Sequence, residues 1–198
     1  LCGSVKDLDH FIDFYGTNAP TNIAAIFENG KVVKLPYGDL DMQKIKQHED
    51  GTFAAALSND GKVVVGYCKC SNFAYSYPCK WTRGANNEWK LEQLPLPDTY
   101  KYGLAINVSS DGRTIVGLAM EGGRAIACYW IDGKCYTVNC KSEDDELAKM
   151  KQMRMIDMSP NGKYFIFSLS SRSDYRLFDV EKGTYRILPT FERNETMR

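Results

Sequence analysis

The sequence predicts an all-β chain of repeated four-stranded units, on three observations. First, one hairpin signature returns three times: "SNDGKVVVGY" at 58–67, "SSDGRTIVGL" at 109–118 and "SPNGKYFIFS" at 159–168. Second, Gly61, Gly112 and Gly162 lie 51 and 50 residues apart, a period that fits one supersecondary unit of several strands. Third, the run after each turn is β-branched or aromatic at nearly every position. That is the composition of a strand covered on both faces, where a strand with one wet face would alternate.

Each element of the unit can be argued in order. Asp60-Gly61, Asp111-Gly112 and Asn161-Gly162 predict two-residue hairpin loops in which both residues take positive φ. Ser58, Ser109 and Ser159 stand two residues before the Asp or Asn, where a hydroxyl can bond locally at the turn. In the second half of the unit, "CKW" (79–81), "CYW" (128–130) and "RLF" (176–178) share one register, so Trp81, Trp130 and Phe178 form a series. Turns follow at "IDGK" (131–134) and "VEKGTY" (180–185), and closing strands end as "LEQLP" (91–95) and "YRILP" (185–189).

The N-terminal segment fits the same template. "AAIFENGKVVKLP" (24–36) matches the second half, with Asn29-Gly30 as its turn. "FIDFYG" (11–16) aligns with "KVVVGY" through Gly16, Gly66 and Gly117. Leu8, Phe11, Ile12 and Tyr15 also keep helical spacing, but the repeat register favours a strand. One helix is expected, at "SEDDELAKMKQM" (142–153): Ser142 and Asp145 have capping-box spacing, acids crowd the first turn, and Lys149 and Lys151 end it.

The units therefore run over 1–37 (partial, without an opening strand), 38–96, 97–140 and 141–189. Four strands in forty to fifty residues is the size of a β-propeller blade, whose two apolar faces are covered by stacking on neighbours. The expected architecture is a single β-propeller-like array of three full blades plus one partial, belonging to a larger propeller. The start at Leu1 suits that expectation. The alternative is a closed four-bladed ring in which the polar tail "TFERNETMR" (190–198) supplies the missing strand. In either case Trp81, Trp130 and Phe178 would fill the gaps between blades.

The motifs carry two family resemblances. "MSPNGKYFIFSLSSRSDYRLFDVEKGTYRIL" (158–188) resembles the WD-like repeat of TolB-type propellers, including those that cap prolyl oligopeptidases. "ALSNDGKVVVGYC" (56–68), with "CKW", resembles the HAF-type bacterial repeat through its Ser-x-Asp-Gly, Val-Val-Gly and Trp pattern. Together they cover about three quarters of the chain. They imply a propeller fold and a bacterial protein outside the cytoplasm, in the periplasm or at the cell surface.

Chemistry is sparse. Lys plus Arg equals Asp plus Glu, so the net charge is zero and the positive field that nucleic acid or an anionic membrane would need is missing. No run of eighteen apolar residues exists to span a bilayer as a helix. The seven cysteines (2, 68, 70, 79, 128, 135 and 140) form no Cys-x-x-Cys, and with only His10 and His48 a structural zinc site is not expected. Their odd count precludes complete internal pairing, and the expected state is buried free thiols. No Gly-x-Ser-x-Gly or phosphate loop occurs. Glu143, Asp144 and Asp145 are accounted for by a helix start. No catalytic residues, cofactor or metal are therefore expected.

Binding is the class the sequence favours. The loops leading into each blade hold His48, Glu49 and Asp50, then Tyr100, Lys101 and Tyr102, then Gln152 and Arg154. The loops between second and third strands hold Asn72, Phe73 and Tyr75, then Glu121 and Arg124, then Arg172 and Asp174. Aromatics beside arginines are the side chains that anchor interfaces. The candidate set is His48, Phe73, Tyr75, Tyr100, Tyr102, Arg124 and Arg172, presented to a protein, peptide or glycan, with assembly onto further blades as a second kind of contact. The alternative function is the propeller portion of a larger hydrolase or peptidase whose catalytic residues lie elsewhere.

Overall fold

A computed structural model describes residues 1–13, 18–37, 51–70, 72–138, 153–169 and 175–189. Among them every regular element is a strand. The first group is β1 (Cys2–Asp13), β2 (Asn18–Glu28) and β3 (Lys31–Lys34). The second is β4 (Gly51–Leu57), β5 (Val63–Cys70), β6 (Asn72–Arg83) and β7 (Trp89–Gln93). The third is β8 (Tyr102–Val108), β9 (Thr114–Glu121), β10 (Arg124–Ile131) and β11 (Lys134–Thr137). The fourth is β12 (Met153–Met158), β13 (Tyr164–Leu169), β14 (Tyr175–Asp179) and β15 (Thr184–Ile187). No helix among the described residues is long and apolar enough to cross a membrane.

These strands build three separate sheets, and none closes into a ring. The β-propeller reading is corrected by this topology. The partial first unit does not stand alone: β2 pairs β4 in parallel through Asn22 and Gly51, merging the first two groups into one seven-stranded sheet. β8–β11 and β12–β15 form two four-stranded antiparallel sheets. Ring closure would bury the two end faces against each other. Instead Phe27 and Val32 are 52% and 56% exposed at one end, and Tyr164 is 40% exposed at the other. The helix expected over 142–153 lies outside the described residues except for Met153, which opens β12. The tail 190–198 lies outside them too.

The repeated turn also differs from expectation. Asp60, Asp111 and Asn161 keep negative φ, and only the glycine after each is left-handed. The link is a five-residue loop, built identically three times. In the first, Ser58 Oγ accepts the Val63 N–H at 3.0 Å and its hydroxyl donates to Asp60 Oδ1 at 2.6 Å; that oxygen also accepts the Lys62 N–H at 3.0 Å. The Gly61 N–H closes the turn on Ser58 O at 3.0 Å. Ser109–Thr114 and Ser159–Tyr164 repeat every one of these bonds. The two-residue turns with both φ positive occur instead at Asn29-Gly30, Gly122-Gly123 and Asp132-Gly133.

The Val-Val-Gly motif has a steric cause. The first strand of each unit bulges, between Ala54 and Ala56, Ala105 and Asn107, and Met155 and Asp157. Gly66 and Gly117 lie opposite the first two bulges, where an added Cβ would come within 1.8 Å of Phe53 O and 1.9 Å of Leu104 O.

Continuous apolarity resolves into alternate burial on the two faces of each unit. Val64 joins Ala24, Ile26, Leu35 and Trp81 in one core, whereas Val65 joins Leu94, Ile115 and Trp130 in the next. Val116 turns the other way from Ile115, into the third core with Phe165, Phe167 and Phe178. The aromatic series does fill these gaps. Trp81 Nε1 donates to Pro36 O at 2.7 Å, and Trp130 Nε1 to Pro95 O at 2.6 Å. Each indole thus latches onto the closing Leu-Pro of the preceding unit. Arg83 adds a two-pronged pair to Glu28, with N···O distances of 2.7 and 2.8 Å.

Candidate binding rim

Strand register divides the molecule into two rims. One carries the Ser-Asp-Gly loops, whose polar groups are consumed by their own backbone. The other is where β5 ends at Cys70, β6 starts at Asn72, β8 starts at Tyr102, and β9 turns into β10 through Glu121 and Arg124. The residue types that can grip a ligand gather on this second rim.

Of the sequence-nominated residues, Tyr100, Tyr102 and Arg124 sit there. Tyr102 opens β8 and pairs with Met120; Arg124 opens β10 opposite Glu121. Tyr100 lines a groove of about 350 Å³ with Gln93, Leu94, Pro95, Leu96 and Lys101. Phe73 and Tyr75, read from sequence as loop residues, belong to the strand β6. His48 and Arg172 lie outside the described residues.

Three further residues join the rim. The rings of Tyr77 and Tyr102 meet edge to face, their centroids 5.8 Å apart, and so tie β6 of the first sheet to β8 of the second. Lys101 Nζ stands 3.5 Å from Glu121 Oε1. The other carboxylate oxygen, Glu121 Oε2, is buried with no hydrogen-bond partner among the described residues. A buried acceptor left open in this way is stabilised by any donor that reaches it. Nearby, Phe53 and Tyr67 stack across β4 and β5 at 5.2 Å, and burial pushes the Tyr67 phenol up from its ordinary value. Among the described residues no group of three or more His, Cys, Asp or Glu is placed to hold a metal ion.

Stacked sheets, interleaved cores and a rim of aromatic and charged residues define an all-β repeat protein. Its fold is similar to that of TolB from Acinetobacter baumannii, at a TM-score of 0.50 and 13% identity, over 88% of this chain and 39% of that one. It is also similar to a putative TolB from Agrobacterium tumefaciens, at a TM-score of 0.52 and 11% identity, over 94% of this chain and 60% of that one. The chain therefore spans 39% and 60% of the lengths of these two proteins, and at such identities the likeness is one of fold. No protein-family model and no curated protein matches the sequence.

Proposed function

We propose that the chain is a non-catalytic binding module that grips an extended polypeptide of a partner protein across the rim between β6 and β8. The observation that carries this reading is the meeting of Tyr77 and Tyr102 beside Lys101, Glu121 and Arg124. The paired rings offer flat apolar surface at low entropic cost. Lys101 and Arg124 attract carboxylates, and the half-buried Glu121 carboxylate attracts an ammonium group. The groove beside Tyr100 runs past the exposed residues Gln93 and Pro95. The TolB-like fold supports a bacterial setting outside the cytoplasm, which an alkaline phosphatase fusion to the native gene would report.

The test is to pan a displayed random-peptide library against the purified chain. Wild-type protein should enrich a related set of peptides. Tyr102→Ala should cost these about tenfold or more in affinity, as loss of an aromatic anchor does. Hits that bind Tyr102→Ala and Arg124→Ala as tightly as wild type would place binding elsewhere. Enrichment on a glycan array with no peptide selected would replace the polypeptide with a sugar.

A further inference from the structure

Two thiols face each other across neighbouring strands in the first core. Cys68 on β5 and Cys79 on β6 are 1% and 2% exposed, and their Sγ atoms stand 2.8 Å apart. Register accounts for the approach. Cys68 pairs with Tyr77 and Cys79 pairs with Gly66, so both thiols leave the same face of the sheet at diagonal positions. A disulfide needs a separation of about 2.05 Å, so roughly 0.8 Å of sulfur movement joins the pair. The surrounding core of Ala24, Ile26, Leu35, Val64 and Trp81 holds both side chains in place.

We propose that Cys68 and Cys79 are a modification site, joining under thiol-oxidising conditions as a cross-strand disulfide that ties β5 to β6. The oxidant is another disulfide, either oxidised glutathione or the active-site disulfide of a thioredoxin-fold oxidase. The thiolate of one cysteine attacks it, forming a mixed disulfide and releasing one oxidant thiolate. The second cysteine's thiolate attacks the protein sulfur of that mixed disulfide, forming the Cys68–Cys79 bond and releasing the other oxidant thiolate. The protein loses two electrons and two protons, and the oxidant gains them as two thiols. The hydrogen bond with Cys79, and then burial, push the Cys68 thiol far above its ordinary value. The attacking thiolate is therefore scarce in the closed core, and oxidation proceeds as the strands assemble or open.

The chain should be refolded in an oxidising glutathione mixture. Free thiols are then blocked under denaturing conditions, and the protein is digested with trypsin without reductant. Cleavage after Lys62, Lys69 and Lys80 places Cys68 in peptide 63–69 and Cys79 in peptide 70–80. The expected product is these two peptides linked. Because Cys70 shares the second peptide, the linkage should persist in Cys70→Ser and vanish in Cys79→Ser. The Cys70→Ser protein should also unfold at a midpoint roughly 5–10 °C higher when oxidised than when reduced. Full alkylation of both peptides would overturn the proposal, as would a linkage lost in Cys70→Ser. The Cys70→Ser result stands even where Cys79→Ser fails to fold.

Discussion

The sheet β8–β11 and the sheet β12–β15 share a backbone plan and fill it with different chemistry. In the former, Trp130 donates to Pro95 O, Gly117 lies against a bulge and Asp111 closes the loop. In the latter, the same positions hold Phe178, Phe167 and Asn161. Phe178 stacks on Phe165 at 4.7 Å and meets Tyr129 at 5.4 Å, in a core completed by Met153, Met155 and Met158. The exchange is matched across each junction. A unit ending Leu-Pro precedes a Trp that hydrogen-bonds the proline carbonyl, while the unit ending Val138-Asn139 precedes a Phe with no donor. The repeat is constrained by pairs of neighbours, with an acceptor ending and an indole arriving together.

The comparison breaks most readily at the aromatic junction. Phe178→Ala removes a ring that is 2% exposed and leaves a cavity beside Phe165 and Tyr129, so it should cost about 3–5 kcal/mol in urea unfolding. A cost below about 1 kcal/mol would mean that the last sheet is not held by this cluster. Trp130→Phe asks the opposite question. It keeps a ring but strands Pro95 O without its indole donor, so the cost should be about 1–3 kcal/mol. If Trp130→Phe were neutral, the indole hydrogen bond would contribute nothing beyond packing, and the two junctions would be equivalent.

Much of this was legible in the sequence, and what was missed has physical reasons. The strands, their period and the Trp81, Trp130, Phe178 series showed because burial on both faces demands apolar runs at fixed spacing. The acceptors Pro36 and Pro95 did not show, because a backbone carbonyl leaves no mark on residue type. The turn was misassigned because Asp-Gly suits more than one loop. The Ser58 hydroxyl, which selects the longer loop, acts through geometry. "KCSNFAYSY" (69–77) reads as a loop, yet β6 begins at Asn72 and carries Pro78 opposite Tyr67. Tyr77, hidden in that run, was overlooked as Tyr102's partner. Ring closure was beyond reach of the pattern, since a one-residue parallel bridge from Asn22 to Gly51 decides how the first unit attaches.

The smallest predicted effect sharpens the contrast at the loops. The hydrogen bond from Ser58, then the Lys62 N–H, hold the Asp60 carboxyl below its usual value; Ser109 and then Arg113 N–H do the same for Asp111. A carboxyl depressed in the folded state contributes stability that is present above its unfolded pKa, near 3.9, and is lost as pH falls through the lower folded value. Both carboxylates are exposed, so solvent screening keeps the contribution to a few tenths of a kcal/mol each. Global acid unfolding is a poor gauge of so small a term, because Glu28 and Glu92 are held down as well, by Arg83 and Lys80. Amide hydrogen exchange at single residues isolates it. The Lys62 and Arg113 N–H groups donate to carboxylates, whereas the Lys163 N–H donates to the neutral Asn161 side chain. Below about pH 4, protection should fall at Lys62 and Arg113 and hold at Lys163. Equal loss at all three would show that the Ser hydroxyl and the backbone bonds carry the loop without help from charge.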